Sequence, residues 1–102
     1  MKKFVLSIVF VVALAISAYA QTADQHFKAG LAFYDTKAYD QAITSFSAAI
    51  SLNPSMSAAW FNRGQSYFYK ALFDKAIVEY SQALKLKPDM TDAYFQRALA
   101  YG

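Results

Sequence analysis

His26 is the one imidazole in this 102-residue sequence, and there is no cysteine. Acid–base or covalent catalysis needs a nucleophile, a base and a group that orients the base. His26 has no thiol to activate and no second histidine to share a metal with, so no ligand spacing for a cation can be drawn. Gly30, Gly64 and Gly102 lie too far apart to form a phosphate-binding loop. The carboxylates of Asp35, Asp40, Asp74, Glu79, Asp89 and Asp92 fall near turns, at helix starts or on polar faces, where solvation and capping are their ordinary roles. No enzyme, cofactor or metal site is expected, and His26 reads as a half-buried packing residue.

The absence of cysteine also excludes disulfides and a lipid on an N-terminal cysteine. Lys2 and Lys3, the apolar run from Phe4 to Ile16 broken only by Ser7, and Ala18-Tyr19-Ala20 have the order of a secretory signal peptide. The apolar run is short for a membrane span, which needs roughly 20 residues. Cleavage after Ala20 is therefore expected, with no stable membrane association afterwards, and the chain is placed in the periplasm or outside the cell. The formal charge of +3 includes Lys2 and Lys3, so the remainder carries only +1. Its charges alternate in sign without a basic stripe, which argues against nucleic acid as a partner.

What the sequence has in place of reactive groups is a period. Residues 23–56 align without a gap on residues 57–90, and residues 91–102 begin a third copy. Phe27 falls on Phe61, Gly30 on Gly64, Ala42-Ile43 on Ala76-Ile77, Leu52 on Leu86 and Pro54 on Pro88. Within a copy the apolar spacing is helical and comes in two blocks, Trp60, Gly64, Tyr67 and Phe68 in one and Phe73, Ala76, Ile77, Tyr80, Ala83 and Leu84 in the other. Two helices joined by a short turn make an antiparallel hairpin. Asn53-Pro54 and Lys87-Pro88 should end the second helix of each copy, because proline disfavours helix in the residue before it. Ser55 or Ser57, and Asp89 or Thr91, are candidates to cap the next helix. A recurrent glycine inside a helix costs roughly 1 kcal/mol against alanine and so implies a close approach between helices.

The pattern resembles the tetratricopeptide repeat (TPR). Trp60, Gly64, Tyr67, Phe73, Ala76, Tyr80, Ala83 and Pro88 fit its signature in the second copy, and Gly30, Phe33, Tyr39, Ala42, Phe46, Ala49 and Pro54 in the first. The resemblance implies an all-α fold, an α-solenoid of antiparallel helical hairpins. Two full repeats (23–56 and 57–90) would be followed by the first helix of a third (91–102), with a signal-peptide helix over 1–20 ahead of the repeat region 21–102. Lys37 and Ala71 stand where the family often has glycine in the intra-hairpin turn, and a left-handed backbone there would be strained.

The resemblance also implies a function: a protein-binding or scaffold module that holds a peptide or partner helix. First helices of this family line a concave side. The inward positions carried over are Asp24, Phe27, Leu31 and Tyr34, then Phe61, Asn62, Gln65, Phe68 and Tyr69, then Phe95, Gln96 and Leu99. Such an aromatic groove suits an extended apolar peptide or a helix, although packing between hairpins outweighs ligand contact as an explanation of several of these rings. Replacing Phe61 and Phe68 with alanine is the test the sequence suggests. Family members that grip the C-terminal carboxylate of chaperones use a Lys/Asn pair, an Asn and a Lys/Arg pair. Here those places hold Phe27 and Leu31, Asn62, and Asp92 and Gln96, so only Asn62 matches and that clamp is absent.

The third copy presents Tyr94, Ala98 and Tyr101 on the face that earlier copies cover with their own second helix. Three readings are open: part of a longer array, end-to-end pairing with a second copy, or an exposed face that is tolerated. An alternative function follows from the first, namely an N-terminal spacer or assembly segment of a longer exported repeat protein whose activity lies downstream.

Overall fold

The computed structural model describes residues 22–102, and the leader expected over residues 1–20 lies outside the described residues. Five helices, and no strand, occur among the described residues: α1 (residues 22–35), α2 (Tyr39–Leu52), α3 (Ser57–Tyr69), α4 (Phe73–Leu86) and α5 (Thr91–Tyr101). Short connections turn each helix back on its neighbour, giving the all-α repeat that the period implies.

The prolines end helices as the sequence requires. Asn53 (φ −142°, ψ 86°) and Lys87 (φ −138°, ψ 89°) leave helical geometry immediately before Pro54 and Pro88. Each still donates its N–H to the last turn, to Ala49 and Ala83 at 2.8 Å. The helix starts differ from expectation. No serine, threonine or aspartate side chain caps α3 or α5. The residues at the cap position are Met56 and Met90, and Ser57 and Thr91 are already the first helical residues. Burial decides this register: Met56 packs against the Ala49, Ile50 and Ala59 cluster, which fixes where the chain enters α3. The Asn53 carboxamide oxygen accepts from the Ser55 N–H at 3.3 Å and shapes the turn instead.

Both intra-hairpin turns close in the left-handed way. Lys37 has φ 63° and Ala71 has φ 61°. In each turn two paired bonds satisfy the end of the first helix: Ala38 N–H to Phe33 O and Leu72 N–H to Tyr67 O at 2.9 Å, with Lys37 N–H to Tyr34 O and Ala71 N–H to Phe68 O also at 2.9 Å.

The recurrent small residues lie where helices meet. A Cβ built on Gly30 would fall 2.5 Å from the ring of Phe46, and one on Gly64 would fall 2.8 Å from the ring of Tyr80. Phe46 and Tyr80 are fully buried, with Ala42, Ala49, Ala76 and Ala83 around them. One charged link crosses three helices. Arg63 on α3 donates to both carboxylate oxygens of Glu79 on α4, at 2.5 and 3.1 Å, and to Ser47 Oγ on α2 at 3.0 Å. Its guanidinium also lies 4.9 Å from the centre of the Trp60 ring, and the indole N–H donates to Pro54 O at 2.9 Å. His26, which takes the place of Trp60 in the first copy, is half-buried.

Candidate functional site: the first-helix face

The candidate positions divide into rings held by packing and side chains left free. In α1, Phe27 packs its ring against Phe46 at 5.8 Å, and in α3 Phe61 packs against Tyr80 at 5.7 Å with nearly the same tilt. Tyr34 meets Tyr39 edge-on at 5.8 Å, and Phe68 meets Phe73 edge-on at 5.3 Å. These are equivalent pairs one repeat apart. Each ties the end of a first helix to the start of the second helix across the strained turn. Leu31 is half-buried beside them.

The two amides are engaged within the fold. Gln65 is only 8% exposed, and its Oε1 accepts from the Tyr80 hydroxyl. Asn62 Nδ2 donates to Ala58 O, one turn back on its own helix, at 2.8 Å. Asp24 is exposed and pairs with Lys28 at 3.1 Å. Gln96 is half-buried.

Three candidates stay open to solvent: Tyr69 at 54% exposure, Phe95 at 62% and Leu99 at 49%. Tyr69 is the informative one, because its counterpart in the first copy is Asp35 rather than an aromatic. It stacks on Tyr39 of the preceding hairpin at 5.6 Å with the planes 12° apart, and meets Tyr34 at 6.1 Å and Phe68 at 5.5 Å. The Lys70 ammonium beside it is bonded to Asp40. Burial, with Tyr69 and Tyr39 next in effect, pushes the Tyr34 hydroxyl from its usual pKa of 10.0 up to about 12. Burial also pushes up that of Tyr80. Both phenols are thus held neutral as hydrogen-bonding groups over the ordinary pH range.

A shallow depression lined by Phe61, Lys87, Met90, Thr91 and Asp92 lies near exposed Phe95, where α3 meets the start of α5. An apolar floor flanked by one ammonium and one carboxylate can take an apolar side chain and orient a backbone. Two residues here escaped the sequence reading. Tyr39 is a second-helix residue, so a list confined to first helices passes it over. Lys87 lies in a turn. The break in period at Tyr69 was the signal that could have pointed to Tyr39.

The structure also changes how the face can be tested. Phe61 and Phe68 hold α3 to α4, so replacing them with alanine would remove core packing along with any binding surface.

Two family descriptions match the chain: TPR repeat over residues 30–70 and tetratricopeptide repeat over residues 57–90. No protein of curated function matches. Among solved structures, the TPR domain of Arabidopsis OM64 superposes with a TM-score of 0.79 at 22% identity, over 80% of this chain and 68% of that one. The TPR2B domain of yeast Sti1, in a complex with pHsp70, gives 0.76 at 20% identity over 78% and 64%. MamA gives 0.77 at 29% identity over 80% and 45%. The chain thus spans less than two thirds of the length of the Sti1 and MamA chains.

Proposed function

The chain belongs to the tetratricopeptide-repeat family, and from that premise we propose that it is a protein-interaction module whose first-helix face holds an apolar peptide or partner helix. The observation that carries this reading is the division just described. Packing consumes Phe27, Phe61 and Phe68, yet Tyr69 remains exposed beside them with its own second helix in place. Large exposed apolar side chains on a rigid frame are what binding anchors require, since little side-chain freedom is lost on contact. The Sti1 neighbour is in a complex with pHsp70, and the first TPR of Spaghetti (RPAP3) is bound to an HSP90 peptide, which supports peptide binding as the general mode. The chaperone-tail clamp is a different matter. Phe27 and Leu31 stand where the Lys/Asn pair would be needed, and Asp92 and Gln96 where the Lys/Arg pair would be, so apolar contact rather than carboxylate capture is the chemistry proposed.

The working place proposed is the cell envelope or the exterior, on the strength of residues 1–20. Intact mass of the protein recovered from its host should then correspond to a chain starting at Gln21. A mass that retains Met1 would end this part of the reading.

The test of the face uses exposed positions. Tyr69→Ala combined with Phe95→Ala should abolish partner capture from envelope extract while helicity is retained, although loss of the stacking on Tyr39 lowers the melting temperature by several degrees. Capture at the parental level in that double variant would show that the partner binds elsewhere.

A further inference from the structure

Gln65 and Tyr69 lie one turn apart on α3, so their side chains share a stripe. Both break the period: Leu31 and Asp35 stand at the same places in the first copy. The repeat frame therefore requires neither residue type.

Hydrogen-bonding groups lead up to this stripe from both flanking hairpins. The Tyr80 hydroxyl of α4 donates to Gln65 Oε1 and so consumes the acceptor end of the carboxamide. The donor end is left over. No described residue accepts from Gln65 Nε2, and no buried side-chain polar atom is unpaired among the described residues, so this NH2 group reaches solvent. From α1, Tyr34 meets Tyr69 edge-on at 6.1 Å. Burial is the main cause of the raised Tyr34 pKa, and a hydrogen bond to Tyr69 is among the others. A bond that holds the proton on Tyr34 makes Tyr34 the donor, which leaves the Tyr69 hydroxyl hydrogen for another acceptor. At Tyr80, burial acts first and then Tyr34 and Tyr69, so the three phenols share one locality.

The Tyr69 ring is 54% exposed and is held flat by its stacking on Tyr39. Beside it the Lys70 ammonium is spent on Asp40, while Asp35, close enough to act on Tyr34, pairs with no described cation. The result is a flat aromatic shelf with outward donors and an acidic edge.

We propose that this shelf docks an extended, proline-rich segment of a separate protein, flanked by a basic residue. The proposal rests on reading the first-helix face as a peptide-binding surface, and it commits that face to one occupant. A helical partner spends its carbonyls on its own N–H groups and could not answer the two donors. Polyproline II has no internal hydrogen bonds and keeps its carbonyls free. Proline brings no N–H that would need an acceptor, and the stiff segment loses little freedom on docking against an aromatic surface. The spacing agrees. Gln65 and Tyr69 are about 6 Å apart along the helix axis, which two residues of polyproline II span at about 3.1 Å each. Asp35 would attract a flanking cation and repel an acidic tail.

The probe is an acetylated and amidated peptide of about eight prolines between two arginines, which adopts polyproline II. Its binding to the full chain is followed by NMR, where the Gln65 side-chain NH2 gives signals of its own. Saturable binding should move those signals together with the Tyr69 backbone amide. Tyr69→Ala should weaken it about tenfold or more. Gln65→Leu with Tyr80→Phe recreates the Leu31 and Phe46 pair of the first copy, removes the donor, and should weaken binding about fivefold or more. Asp35→Lys should weaken it too, and a peptide with glutamates for the arginines should recover affinity in that variant. Alanines in place of the prolines should cost the parent chain at least about tenfold. Circular dichroism checks that each variant keeps its helicity.

The proposal is overturned by no binding, by an alanine peptide that binds as tightly, or by affinity indifferent to any one of the three variants. Absent binding, with capture still lost in the Tyr69→Ala, Phe95→Ala variant, would sink this occupant and leave the peptide-binding face standing. Absent binding with capture at the parental level would end both readings.

Discussion

Gly64 and Tyr80 are in direct contact: a Cβ on Gly64 would lie 2.8 Å from the tyrosine ring and 3.1 Å from the Cβ of Glu79. Neither neighbour is the loose end of a flexible chain, since the ring is fully buried and Glu79 is tied to Arg63. Alanine at position 64 would recover about 1 kcal/mol of helix propensity. Forcing α3 and α4 apart costs typically 1–3 kcal/mol, so Gly64→Ala should be net destabilising by about 1 kcal/mol. The melting temperature should fall by roughly 4–8 °C for a domain of this size. An unchanged or higher melting temperature would show that the helices separate without cost.

The period made most of this frame legible. Proline positions fixed the ends of α2 and α4, and the glycine and alanine phase foretold where helices touch. What the sequence concealed was the competition at single side chains. Gln65 looks like a groove amide until its bond to Tyr80 is seen. Ser57 and Thr91 look like caps until Met56 and Met90 are found at the cap positions, because a polar cap signal is weak against the burial of a long apolar side chain. Tyr39 was hidden for another reason: its stacking on Tyr69 joins different hairpins, and no spacing within one copy encodes it.

Lys37 and Ala71 hold left-handed backbone at φ 63° and 61° without being glycine. A side chain there costs roughly 1–2 kcal/mol, while glycine gives back part of the gain by enlarging the unfolded ensemble. Lys37→Gly and Ala71→Gly should each stabilise by about 0.5–1 kcal/mol, and the two effects should add because the turns lie in separate hairpins. Urea unfolding midpoints measure this. A midpoint that falls in either variant would mean that the side chain contributes packing that outweighs the strain.

The Gln65–Tyr80 bond invites a double-mutant cycle. Tyr80→Phe leaves the Gln65 carboxamide oxygen buried without its donor, at a cost of about 1–3 kcal/mol. Adding Gln65→Leu recreates the Leu31 and Phe46 pair of the first copy, and most of that loss should return. A double variant no more stable than Tyr80→Phe alone would show that the two copies are not interchangeable at this contact.

Tyr34 gives the fold a dependence on alkaline pH. Its pKa is 10.0 when unperturbed and about 12 in the folded chain, with burial as the main cause and Tyr69 and Tyr39 adding to it. The native state therefore keeps its proton where the unfolded state has lost it, and stability falls with rising pH over that interval. The contribution should be intact below about pH 10 and lost progressively as the pH climbs towards 12. Phenolate absorbance followed during titration should show a late-ionising component that Tyr34→Phe reduces. The melting temperature of that variant should also fall less steeply over the same interval. If the parent and Tyr34→Phe chains lose stability in parallel there, the cluster of Tyr34, Tyr39 and Tyr69 is open to water, and its burial cannot be what orders the exposed ring of Tyr69 for a partner.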